Sequence, residues 1–101
     1  MSGGWLDEYA PRASYTSGKE YYFDRTTALE IIARSERQGT SILGIDGALI
    51  ENGSIREPID AILVLGEDVH AYDATRRHVT RNEFASLVWC LTLGDDPNKT
   101  D

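Results

Sequence analysis

Residues 41–56 read Ser41-Ile42-Leu43-Gly44-Ile45-Asp46-Gly47-Ala48-Leu49-Ile50-Glu51-Asn52-Gly53-Ser54-Ile55-Arg56. The first part is apolar and rich in β-branched side chains, which predicts a strand over Thr40–Ile50. Gly44 and Gly47 interrupt it and point to a bulge or a close backbone approach. Asn52-Gly53 tolerates positive φ at both positions and predicts a two-residue hairpin turn, with Ser54-Ile55-Arg56 as the return strand.

The same logic extends in both directions. Upstream, Thr27-x-x-Glu30 fits a capping box. Ala28, Leu29, Ile32 and Ala33 recur at helical spacing, with Ile31 at the edge of that face, and Gly39 supplies a C-terminal stop. A helix over Thr26–Gln38 is expected. Tyr21-Tyr22-Phe23 suits a short strand, and residues 1–18 read as an irregular arm held by Trp5, Leu6, Tyr9 and Tyr15. Downstream, Pro58 belongs at an edge or corner. Ile62-Leu63-Val64-Leu65 reads as a buried strand, and Val69–Tyr72 as a further short one. Thr80-x-x-Glu83 resembles a second capping box, followed by Phe84, Leu87, Val88 and Leu91 at i, i+3, i+4, i+7. That spacing predicts a final helix ending at Gly94, with 95–101 a frayed tail. The expectation is one α+β domain over 1–101: two helices on a mainly antiparallel sheet of four to five strands.

The chain has 101 residues and a formal charge of −7, carried unevenly. Residues 1–43 hold six acids and five bases, residues 74–101 four of each. Residues 44–73 hold Asp46, Glu51, Glu57, Asp60, Glu67, Asp68 and Asp73 against Arg56 alone. Such a segment repels a phosphate backbone, so direct nucleic-acid binding is not expected. A basic protein partner is favoured. No apolar run exceeds the five residues of Ala61–Leu65, against the roughly 20 of a spanning helix. No basic-then-apolar leader opens the sequence, so a cytoplasmic location is expected.

Motifs for chemistry are sparse. Cys90 is the one cysteine, so neither an internal disulfide nor a Cys-rich zinc site is available. It has no basic neighbour to lower its pKa and reads as a structural thiol. His70, Asp73 and His78 match no standard metal-ligand spacing. No Gly-x-Ser-x-Gly elbow and no phosphate loop are present. No catalytic residue, metal or cofactor is expected. Arg76, Arg77, His78 and Arg81 form a small basic cluster, suited to ion pairing with the acidic segment or to holding an acidic spot on a partner.

Ala28, Leu29 and Ile32, followed by Ile42, Leu43, Gly44 and Asp46, form a helix-then-strand signature within residues 28–52. This signature resembles small immunity proteins of bacterial polymorphic toxin systems, in particular the Immunity protein 40 family. The resemblance covers about a quarter of the chain. It implies a cytosolic, non-enzymatic protein that neutralises a toxin domain by covering its active site or an adjacent surface. The residues expected to meet the toxin are Asp46, Glu51, Glu57, Asp60, Glu67, Asp68 and Asp73, helped by Tyr72. Many toxin effectors are nucleases with basic clefts, which an acidic inhibitor can occupy by mimicking the phosphate backbone. Two other readings compete: a homodimeric structural or regulatory module whose acidity serves solubility, and a small metal-dependent enzyme using His70, Asp73 and His78.

Overall fold

A computed structural model of the chain describes residues 4–18, 20–65 and 71–94. It has an α+β fold built on one long strand. The elements are a 3-10 helix Gly4–Arg12, β1 Tyr15–Ser17, β2 Glu20–Tyr22, α1 Arg25–Gln38, β3 Ile42–Glu51 and β4 Ser54–Arg56. A 3-10 turn Ile59–Ala61, β5 Ile62–Val64, α2 Tyr72–Val79, a 3-10 turn Asn82–Phe84 and β6 Val88–Leu93 follow.

β3 is the strand on which the others assemble. β4 returns antiparallel along its end, pairing Glu51 with Ser54 and Leu49 with Arg56. The turn has the positive φ values expected of Asn52 (52°) and Gly53 (80°). β5 and β6 flank β3 on opposite edges, because both pair with Gly44–Asp46. An extra β3 residue lies between the Ile42–Leu93 and Gly44–Thr92 pairs. This bulge at Leu43 shifts the side-chain alternation by one, so Ile42 joins Ile45 on the core face. The β1–β2 hairpin attaches to β6 through Phe23 and Trp89, which exchange backbone hydrogen bonds of 2.8 and 2.7 Å.

α1 matches the expected helix to within one residue. Its cap differs: the Asp24 carboxylate accepts from the Thr27 N–H at 2.7 Å, whereas Thr27 itself is buried. The buried face is Thr27, Ala28, Ile31, Ile32 and Ser35, so Ile31 is at its centre, and Leu29 and Ala33 are only half-buried. Gly39 closes the helix at φ 72°.

Three expectations are overturned. The final helix is absent: residues 82–84 make a 3-10 turn and Val88–Leu93 a strand. Val-Trp-Cys-Leu-Thr-Leu is β-prone, and pairing with β3 outweighs the helical spacing. Tyr72 opens α2 and does not end a strand. β5 forms where expected but is not buried, with Val64 82 % and Ile62 38 % exposed. The N-terminal stretch also has more order than an arm. Trp5 is buried, and the Arg34 guanidinium lies 4.7 Å from its ring while pairing with Glu8 at 3.0 Å. Residues 95–101, expected to fray, lie outside the described residues.

α1, α2 and Trp5 cover one face of the sheet, packing on Ile42, Ile45, Trp89 and Leu91. Gly47 makes that contact close enough. A Cβ there would stand 2.8 Å from Ala61 Cβ, 2.8 Å from Trp89 Cζ3 and 2.9 Å from Leu87 Cδ1. Gly47→Ala is therefore expected to lower stability by roughly 1–3 kcal/mol, the usual cost of overpacking a core. Thermal or urea denaturation reads this directly, and an unchanged midpoint would refute the contact.

Candidate functional site

The sheet face opposite the helices carries the charge. Strand alternation turns Asp46 and Ala48 to this side, and their cross-strand partners Cys90 and Val88 follow them. Tyr22 and Tyr15, from the β1–β2 hairpin, lie over Ala48, Cys90 and Ile55 as a small second core. The Tyr22 hydroxyl donates to Glu57 Oε2 at 2.9 Å, and Glu20 Oε1 stands 3.4 Å from the same oxygen. The Tyr15 hydroxyl donates to the Gly53 carbonyl at 3.3 Å. Two tyrosines thus fasten the hairpin to β4 and its neighbours.

The outcome is a group of three carboxylates, Glu20, Asp46 and Glu57, beside a buried phenol and a buried thiol. Among the described residues none of the three has a basic partner. Their proximity is visible in the titration of the groups between them. Burial, then Glu57 and Glu20, raises the Asp46 carboxyl above its ordinary value. Burial, then the Glu57 hydrogen bond, raises the Tyr22 phenol. Burial, then Glu20, Asp46 and Glu57, pushes the Cys90 thiol up to about 12. A thiol so protonated at neutral pH is a poor nucleophile. The arrangement is suited to accepting hydrogen bonds and positive charge.

The other expected partner-binding residues are dispersed. Glu51 pairs with Arg56 at 3.3 Å across the β3–β4 hairpin. Asp60 is exposed on the turn before β5. Asp73 lies in the first turn of α2, on the helix-covered side, and pairs with Arg76 at 2.7 Å. Arg76 also pairs with Glu36, so the basic cluster is engaged with acids as expected, although Glu36 comes from α1 and not from the acidic segment. Tyr72 is not a surface anchor. It is 8 % exposed and donates to the Thr40 carbonyl at 2.9 Å. Glu67, Asp68 and His70 lie outside the described residues.

His78 is buried: Nε2 is 2.8 Å from the Ala61 carbonyl, and the ring meets Phe84 and Trp89 edge-on. Among the described residues no group of three His, Cys, Asp or Glu side chains is placed to hold a metal ion, and no helix is long and apolar enough to cross a membrane. Glu20 belongs to the carboxylate group yet falls outside the acidic segment. Its spacing from Tyr22 was the available signal, since residues two apart on a strand share a face. No family model, curated protein or solved structure matches the chain.

Because the folded state raises the Asp46 pKa, its charge opposes folding at neutral pH, and that opposition is relieved as pH falls through the carboxylate range. Asp46→Asn is expected to stabilise the protein at pH 7 by roughly 0.5–1 kcal/mol, an advantage that shrinks on acidification. Paired melts at neutral and acid pH test this, and a pH-independent difference would contradict it. The native Cys90 thiol is expected to react with Ellman's reagent on the order of 10³-fold more slowly than free cysteine at about pH 8. Equal rates in folded and urea-unfolded protein would contradict its burial.

Proposed function

We propose that the chain is a non-enzymatic, immunity-type protein that binds and neutralises a cognate toxin domain through its acidic, helix-free sheet face. The observation that carries this reading is the convergence of Glu20, Asp46 and Glu57 without a basic partner among the described residues. A protein selected only for stability gains nothing from grouping like charges, which repel and raise one another's pKa. A cationic partner turns that cost into attraction and accelerates encounter. The excess of seven acids over one base in residues 44–73 adds a field of the same sign. The resemblance of residues 28–52 to immunity proteins agrees with this reading, and a cytoplasmic site of action is part of the proposal. A toxin with a basic substrate cleft, such as a nuclease, is the partner this surface suits best.

The test uses the toxin domain encoded immediately upstream of this chain, if one is present. Binding is measured at about 50 and about 500 mM salt, where screening differs strongly. The expected result is salt-sensitive association, with the combined Glu20→Gln, Asp46→Asn and Glu57→Gln variant binding at least about tenfold more weakly, mostly through slower association. Salt-independent binding, or unaltered binding by the triple variant, would overturn the electrostatic reading. The absence of such a toxin gene, or full toxin activity in the presence of this protein, would overturn the immunity reading.

A further inference from the structure

Asn52 and Gly53, at the tip of the β3–β4 hairpin, are both exposed. Both lie in the left-handed region, at φ 52° and φ 80°. The turn closes on the Glu51–Ser54 pair. Ladder bonds alternate along an antiparallel pair, so Ser54 and Arg56 turn their amides to β3 and the Gly53 N–H is left outside the ladder. Among the described residues that N–H has no acceptor, and the Asn52 carboxamide has no hydrogen-bond partner. Nothing lies within 4 Å of where a Gly53 Cβ would stand. The Gly53 carbonyl, in contrast, accepts from the Tyr15 hydroxyl at 3.3 Å.

An asparagine Cγ and the next backbone nitrogen are spaced to close a five-membered ring. The Gly53 nitrogen, giving its proton to water, attacks Asn52 Cγ. A C–N bond forms, the Cγ–Nδ2 bond breaks, and ammonia leaves with a proton to give a succinimide. Water then opens the ring. Opening at Cγ leaves aspartate, and opening at the main-chain carbonyl of residue 52 leaves isoaspartate, with the chain rerouted through the side chain. The sum is carboxamide and water going to carboxylate and ammonium. The reaction needs a free nitrogen, a carboxamide able to rotate onto it, and a following residue with no side chain in the way. Asn52-Gly53 meets all three needs. Asp46-Gly47 has the equivalent atoms, but Asp46 is held in the ladder between Ile62 and Cys90. Gly47 is buried, with atoms of Ala61, Trp89 and Leu87 crowding the space beside it. Asn82 is followed by Glu83 within a 3-10 turn.

We propose that Asn52 is a self-modifying site, at which the folded protein deamidates through a succinimide and the isoaspartate product loosens the β3–β4 hairpin. Either product adds a negative charge at the hairpin tip, beside Glu51. Isoaspartate also adds a carbon to the main chain inside a two-residue turn. Glu51 then no longer stays opposite Ser54 in the same register, and the Gly53 carbonyl shifts from the Tyr15 hydroxyl. β4 leads directly into Glu57, which accepts from the Tyr22 hydroxyl, so the altered turn bears on both tyrosine contacts of the β1–β2 hairpin. The chemistry needs only water and does not depend on the function proposed above.

The full chain is incubated warm at mildly alkaline pH, then digested at acid pH. Peptides covering Asp46, Asn52 and Asn82 are weighed and assayed with an isoaspartyl methyltransferase. The expected result is a gain of about 1 Da at Asn52, accumulating at least about tenfold faster than at Asn82 because glycine leaves the attacking nitrogen unobstructed. Isoaspartate is not expected at Asp46. Asn52→Gln, whose longer side chain must close a six-membered ring, is expected to abolish the gain. The purified isoaspartate form is expected to exchange its Ser54 and Arg56 amides at least about tenfold faster than unmodified protein, while Asn52→Asp keeps them protected. An Asn52 that stays intact in the folded chain yet reacts in urea would overturn the proposal. So would equal rates at Asn52 and Asn82, isoaspartate forming as fast at Asp46, or unchanged Ser54 and Arg56 exchange in the isoaspartate form.

Discussion

Trp89 packed on Gly47 is the contact from which the rest of the molecule is organised. The indole is fully buried, opposite a glycine whose missing side chain makes room for the ring. Its ring meets Phe84 at 5.8 Å and His78 at 5.5 Å, edge-on in both cases. Its backbone exchanges two hydrogen bonds with Phe23. One residue therefore joins β2, β3, β6, α2 and the turn before β6. The indole Nε1 has no hydrogen-bond acceptor among the described residues, which costs about 1–3 kcal/mol. Burying roughly 150–250 Å² of Trp surface contributes about 4–6 kcal/mol in the other direction, so burial outweighs the orphaned donor.

From that contact follows a sheet with two unlike sides. The helix-covered side is largely apolar, and the ion pairs near it, Arg34–Glu8 and Arg76–Asp73, lie at its rim. Among the described residues the opposite side is closed over Ala48 and Cys90, and the hydroxyls that hold the closure end on Glu57 and on the Gly53 carbonyl. Carboxylates accumulate where the apolar cover stops. The carboxylates on this side meet like charge within the isolated chain, whereas the charged groups at the rim of the helical side, Arg34 with Glu8 and Arg76 with Asp73, are paired.

Much of the fold was legible because its signals are local. Gly39, Asn52-Gly53 and the apolar run before them declare α1, β3 and β4 within a few residues of where they lie. Residues 80–93 misled because Phe84, Leu87, Val88 and Leu91 satisfy a helical period by coincidence; the bulky β-formers Val88, Trp89 and Leu91 were the better guide. α2 was hidden for another reason. Two of its four buried residues, Thr75 and His78, are polar and count as surface in any hydrophobic pattern. Thr75 donates to the Ala71 carbonyl at 2.7 Å and His78 meets the Ala61 carbonyl, so their polar atoms are satisfied inside. Of the carboxylate group, Asp46 and Glu57 fell within the acidic segment and Glu20 did not. Their meeting depends on β2 joining β6, a pairing of residues far apart in the chain that no local pattern encodes.

The pairing of β3 with β6 has a consequence for how the protein is made. Ala48 pairs with Val88, forty residues later. At the usual pace of synthesis, about 5–20 residues per second, the ribosome takes roughly 2–8 s to add that stretch. Through this interval Phe23 and Gly47 are already synthesised, and His78 joins them only ten residues before its end, yet the indole that unites them is still missing. The nascent chain can form α1 and the β3–β4 hairpin, but the edge of β3 and the pocket it helps to wall remain unfilled. Completion of the sheet during synthesis is thus deferred to its last described strand.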